Sequence, residues 1–433
     1  MEAIKTDLKE IFISNYKTLE NELKGKNTNA VSEKRKEAIY HFEKLGFPTT
    51  KNEEWKYTNI TSALKKEFSL NVPPSVSQAD LEDFLYKDLD AHVLVFVNGH
   101  YSKEFSKVSA QDGLTVKPFA EADPAILEKY FSKGFSTNDA FTYLNTAFAQ
   151  SGSFIKVAKG KVIDKPIVLH FISDARTLNV FSQPRNIFFA EENSQVKIIE
   201  SYHTLGNNSS FQNIVTEIIL QRDAQVEYYK IQNESSNAYH VGTTQVHQDG
   251  KSNFSATTIS LSGSIIRNNL NIVLNSEYSE ATMYGLSLIN GNQHVDNHTI
   301  VDHAKPNCYS NELYKAILDD KSSGVFNGKI FVKQDAQKTN AFQSNKNILL
   351  SKDASMNTKP QLEIFADDVK CSHGATIGQL DEEPLFYLRS RGISEAKAKA
   401  LLVMAFAQDI IDHIKIEPLK EALLKVISKR LGQ

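Results

Sequence analysis

Cysteine is nearly absent: 433 residues carry only Cys308 and Cys371. Two thiols cannot build a disulfide framework, and a tetra-thiolate metal site is out of reach for this chain alone. Nothing points to an oxidising compartment. Charge of one sign is lacking too. Lys and Arg number 49 against 52 Asp and Glu, a net of −3, so no global basic field draws the chain to nucleic acid or membrane. No apolar run approaches the roughly 18–20 residues of a membrane span. The opening stretch "MEAIKTDLKEIFISNYKTLE" is charged throughout and offers no apolar signal core. A cytoplasmic protein is expected. Neither G-x-x-x-x-G-K-[ST] nor G-x-G-x-x-G occurs, so any ATP must be handled by a partner.

What is present is texture that changes along the chain. Residues 1–150 read as mostly helical, as in "YKTLENELKGK" and "VSEKRKEAIYHFEKLGF", with a short strand at 92–97, "HVLVFV", closed by Asn98-Gly99. A helical passage is expected over about 124–150, opened by Asp123-Pro124. Residues 151–379 alternate short apolar runs with polar turns and show no convincing helix. Residues 380–433 turn helical again. Ser394 is placed to cap "SEAKAKALLVMAFAQDII", with Leu401, Leu402, Ala405, Phe406 and Ile410 on one face.

Within the β-rich middle, "IFFAEENSQVK", "IILQRDAQVEY", "IFVKQDAQKTN" and "ILLSKDASMNT" repeat one shape. Their turn residues Asn193, Asp223, Asp335 and Asp353 lie 30, 112 and 18 positions apart. A coil of 18–30 residues is expected, stacked as a β-solenoid, because one coil cannot bury its inner face alone. A β-sandwich is the rival. Asn290-Gly291 and Asn327-Gly328 are the hairpin dipeptides that would favour it.

Three clusters could carry chemistry. His294, His298 and His303 stand with two aspartates in "NQHVDNHTIVDHAKPNCYS". Alternation puts 294 and 298 on one face and 303 on the other, so a metal role competes with a structural one. Asp367, Asp368, Asp381, Glu382 and Glu383 could do acid–base work, but read better as a turn and a helix N-terminus. In "DDVKCSHGATIGQLDEEPLFYLRSRGI", Cys371 and His373 share a strand face, open to a catalytic, a metal-handling or a packing role.

That last stretch closely resembles the C-terminal signature of the SufB/SufD family of iron–sulfur cluster assembly proteins. The likeness runs upstream from it to "HTIVDHAKPNCYSNELYKAILDD", and "FPTTKNEEWKYTNI" and "LVFVNGHYSKEFS" are similar to the amino-terminal part of the SufD branch. The resemblance implies a right-handed parallel β-helix core flanked by N-terminal and C-terminal helical regions. It implies a heterodimer with SufB, a SufC ATPase supplying ATP hydrolysis, and transfer of assembled clusters to apo-proteins. "TNAFQSNKNILLS" has no cysteine where the SufB branch carries one, which favours the SufD branch. His373 then matches the family's histidine at the SufB interface, with Cys371 a weaker second candidate. Phe386, Tyr387, Arg389, Arg391 and Gly392 fall in the segment that contacts SufC, and residues 380–433 become the SufC-binding region. A non-catalytic subunit is implied, holding no permanent cofactor and sharing a transient iron or iron–sulfur cluster at His373 with SufB. Isolated, the chain could pair with itself. The alternatives are an adaptor with no chemical residue and a β-helix enzyme acting on polysaccharides.

Overall fold

The computed structural model describes residues 8–22, 29–86, 88–133 and 139–432. Residues 23–26 of the expected helix "YKTLENELKGK", and 134–138 of the 124–150 passage, lie outside the described residues. From Ser153 onward, β-branched and aromatic runs form strands that end at polar corners. Successive strands do not fold back on each other. Each pairs in parallel with the strand one turn later. Tyr239 lies beside Ile265, Ile265 beside His294, His294 beside Ser323, and Ser323 beside Ser355. One turn therefore takes 26–33 residues and gives one strand to each of two sheets. Eight parallel strands stack in one sheet and nine in the other, a parallel β-solenoid of about eight turns.

The lower end of the expected coil length needs correction. Asp335 follows the strand Ser323–Val332, whereas Asp353 follows Thr339–Leu349. They occupy opposite corners, so their spacing measures half a turn. Asn327-Gly328 also differs from expectation: it lies inside the strand Ser323–Val332 and makes no turn. A Cβ on Gly328 would come within 2.1 Å of Gln343 Nε2, so glycine here leaves room across the lumen.

One corner repeats with the same backbone. Asn193, Asp223, Lys251, Tyr278, Asn307 and Lys338 all adopt the left-handed conformation, at φ between 54° and 60°. The N–H groups of Asn193, Asp223, Lys251, Asn307 and Lys338 reach the next turn, as in Asp223 N to Gly250 O (2.9 Å) and Asn307 N to Gln337 O (2.9 Å). Such a conformation costs about 1–2 kcal/mol outside glycine, and the inter-turn bonds offset it. Asn193 and Asp223 were readable because Asn and Asp tolerate this region. Lys251 and Tyr278 gave no such signal.

Helices cover the outer faces. Phe12, Phe42, Trp55 and Phe141 pack on Phe181, Phe211, Tyr239 and Ile265 of one sheet. On the other sheet, Val403, Ala407, Ile410, Leu419, Leu423 and Ile427 from the helices Glu395–Ile411 and Glu417–Arg430 cover Ile199, Ile231, Ile259 and Leu286. The buried stripe of Glu395–Ile411 is thus displaced from the one expected, and Leu401 is exposed. That helix is apolar nearly all round, so periodicity alone could not choose its face. Ser394 occupies the N-cap position but its side chain makes no capping bond. Among the described residues no helix is long and apolar enough to cross a membrane.

Burial also fixes protonation. His170 and His203 lie under Tyr86 and Phe84, and His303 points into the lumen toward Ser310 (2.8 Å). Burial pushes these imidazoles down to about 3, 3 and 4. The unfolded chain then binds more protons below about pH 6.5, so acid favours unfolding. Glu312 works the other way. Burial lifts its carboxyl to about 7, so the folded chain keeps a proton there that the unfolded chain releases above about pH 4.3. Three histidines outweigh one carboxyl. The expected net loss between pH 7 and pH 5 is about 3 kcal/mol, measurable by urea unfolding at both values. His203→Gln should recover about 2 kcal/mol of that loss; an unchanged pH slope in this variant would refute the assignment.

Candidate functional site

Among the described residues, nothing pairs with the far edge of the last turn of the solenoid. Ser355–Ile364 and Val369–Gly378 are the last strands of the two sheets and pair on one side only. Their side chains are half-buried or exposed, unlike those of the turns before them. In the penultimate strand Ala341, Gln343, Asn345 and Asn347 are buried in the lumen. Register places Cys371 beside Ala341 and His373 beside Gln343. Both therefore continue inward-facing rows at the open end, as strand alternation requires.

Their surroundings differ. Cys371 is half-buried and packs with the cluster of Ile330, Val332, Ala336, Ala341 and Ala366. Burial pushes its thiol up, away from the thiolate that binds metal or attacks. His373 is exposed. Behind it the lumen turns polar. Gln343 Nε2 donates to Glu312 Oε2 at 2.6 Å, and Asn347 Nδ2 donates to Asn345 Oδ1 at 2.6 Å. Sequence reading missed this lining. The signal is weak but present: in "TNAFQSNKN" the inward positions alternate through Gln343, Asn345 and Asn347, where a packed strand would place apolar residues. Glu312, in "YSNELYKAIL", reads as an outward charge of an ordinary alternating strand.

The helix Glu382–Ser390 follows. Asp381 caps it by accepting from Glu383 N (3.0 Å), and no side chain of the helix is buried. Asp381, Glu382 and Glu383 thus form its acidic first turn. Phe386 is 73% exposed and Tyr387 57%. The Arg391 guanidinium lies 5.3 Å from the Tyr387 ring centroid, and Arg389 approaches Glu395 at 3.6 Å. Gly392, at φ +84°, ends the helix in the left-handed region.

The histidine group is divided by its strand. His303 faces the lumen, while His294 and His298 flank Asp296 on the outer face, against the segment Glu53–Thr58. His294 Nε2 meets Thr58 Oγ1 at 2.8 Å, and His298 Nδ1 meets Glu54 Oε2 at 3.2 Å. Arg267 reaches Asp296 at 2.5 Å and lies over Trp55 at 4.7 Å. Burial opposes ionisation of Asp296, but Arg267 and His298 outweigh it and hold the carboxyl below the usual range. The outer pair fastens the N-terminal region to the solenoid. Among the described residues, no group of three or more His, Cys, Asp and Glu is arranged to hold a metal ion.

Comparison with known proteins agrees with this architecture. Residues 171–406 match the core domain of SufBD proteins of the SUF system for FeS cluster assembly, and residues 6–169 match the SufBD N-terminal region. An iron–sulfur cluster assembly SufBD family protein of Synechocystis is 33% identical, over 94% of this chain and 92% of its own length. The iron–sulfur cluster assembly protein SufD of Escherichia coli is 32% identical, over 91% and 92%. A SufBD family protein of Staphylococcus epidermidis is 27% identical, over 87% and 74%. The parallel solenoid and both family segments lead to one conclusion: the chain belongs to the SufBD family and has a role in SUF iron–sulfur cluster assembly.

Proposed function

We propose that this chain is the SufD-type subunit of a scaffold formed with SufB and SufC, which assembles iron–sulfur clusters and passes them to apo-proteins. The observation that carries the reading is the uncapped last turn, with His373 exposed on it. A strand row paired on one side is a template for another strand, and a β-solenoid partner such as SufB has the matching edge. One imidazole cannot hold a cluster alone, and Cys371 is turned into an apolar contact. The remaining ligands would come from the partner, with the cluster as cargo. Imidazole in place of thiolate is established iron–sulfur chemistry. Phe386, Tyr387, Arg389, Arg391 and Gly392 suit a protein contact, since large exposed aromatics beside arginine are typical of interface anchors. SufC would bind there and supply ATP hydrolysis, for which this sequence has no phosphate loop.

The test is the mass, by size exclusion with light scattering, of this chain mixed with SufB and SufC from its own organism. One stable species containing all three is expected. Phe386→Ala with Tyr387→Ala should release SufC and leave the pairing with SufB. Separate elution of the wild-type chain from both proteins would overturn the reading.

A further inference from the structure

His373 is the last rung of a column that begins deep in the lumen. Register stacks Met283, Glu312, Gln343 and His373 on successive turns. Glu312 is 1% exposed and Gln343 3%. The Gln343 amide is oriented by two features. Its nitrogen donates backward to Glu312 at 2.6 Å. Glycine at 328 gives that nitrogen its space, since any Cβ there would collide with it at 2.1 Å. A planar amide whose nitrogen turns toward one rung directs its oxygen away from that rung. Gln343 Oε1 is buried and has no hydrogen-bond partner. Leaving such an acceptor unpaired costs about 1–3 kcal/mol. The next rung is His373, about 4.8 Å away along the stack.

We propose that Gln343 is the positioning residue for His373. Its amide oxygen, unpartnered in the structure, accepts the Nδ1–H once the exposed imidazole turns onto it, and Glu312 holds the amide in the orientation that permits this. Nδ1 is the ring nitrogen nearer the backbone, so a bond there keeps the outer nitrogen, Nε2, for a partner. The bond fixes the tautomer and leaves Nε2 bare and directed away from the solenoid. Partners of this kind behind a ligating histidine set both ring orientation and basicity. This inference rests on the reading that His373 serves the cluster interface, but it concerns only residues of this chain.

The test is nuclear magnetic resonance of the full-length chain carrying ¹⁵N-labelled histidine, with the His373 ring signals assigned by their loss in His373→Gln. Wild type is expected to show the Nδ1-protonated tautomer. Gln343→Leu should lose that signature, and Gln343→Glu, which keeps an acceptor oxygen, should retain it. With SufB and SufC present, Gln343→Leu should lower cluster yield by roughly ten-fold. An Nε2-protonated His373 in wild type would overturn the proposal, and needs no variant to fold. So would an unchanged tautomer in a folded Gln343→Leu chain. The interface reading fails by a different result, a wild-type cluster yield from His373→Ala, which leaves the tautomer measurement standing.

Discussion

His373→Ala is expected to cut cluster yield by roughly ten-fold or more while the assembly with SufB and SufC stays intact. The side chain is exposed on a strand with no turn beyond it. The ring itself is exposed, so its loss removes no packed apolar contact, and the cost to stability is at most that of the unpaired Gln343 oxygen, about 1–3 kcal/mol. On the proposed reading it removes a nitrogen ligand carried by the last strand of the solenoid. Reconstitution followed by the visible absorbance of the cluster, with light scattering on the same sample, separates chemistry from assembly. Cys371→Ser should have a smaller effect, because its sulfur is packed against Ala341 and its neighbours and held as a thiol. Full cluster yield from an assembled His373→Ala complex would leave the chain as an adaptor with no chemical residue.

Glu217→Ala should destabilise the fold by roughly 3–5 kcal/mol. Arg185 and Glu217 are both 0% exposed and meet at 2.6 Å, with Arg185 Nε also donating to Glu217 at 3.0 Å. Arg185 Nη1 donates to Asn145 Oδ1 and Thr146 Oγ1 at 3.2 Å, and its guanidinium lies over Phe131 at 4.8 Å. The Ser132 N–H donates to the other Glu217 oxygen at 2.9 Å. This pair joins the helix Ala140–Phe148 to the first turns of the solenoid. Removing the carboxylate leaves a fully buried guanidinium without its charge partner. Replacing both partners, Arg185→Leu with Glu217→Leu, should cost much less, since a buried pair gains little over apolar residues of similar volume. Denaturant unfolding gives the difference, and hydrogen exchange should place the loss in Ala140–Phe148. Equal losses in the single and double variants would show that packing, not the charge, holds this joint.

Cys371 and His373 show how far the primary structure reaches and where it stops. Alternation along one strand placed them on a common face. The quoted stretch around them pointed to the family, and the low cysteine count excluded a tetra-thiolate cluster held by this chain alone. The corner residues Asn193 and Asp223 revealed stacking, because left-handed backbone selects Asn and Asp. Those properties are local, and local chemistry survives in a linear string. Which turn lies beside which is not local. Glu312, Gln343 and His373 are some 30 residues apart, and only the parallel register makes them one column. Asp335 and Asp353 look alike, yet only the closed turn puts them at opposite corners. Glu395–Ile411 is apolar on several faces, and the sheet beneath decided which was buried. Cys371 and His373 are two residues apart, yet one packs and one is exposed, because the neighbours that bury a side chain come from other turns.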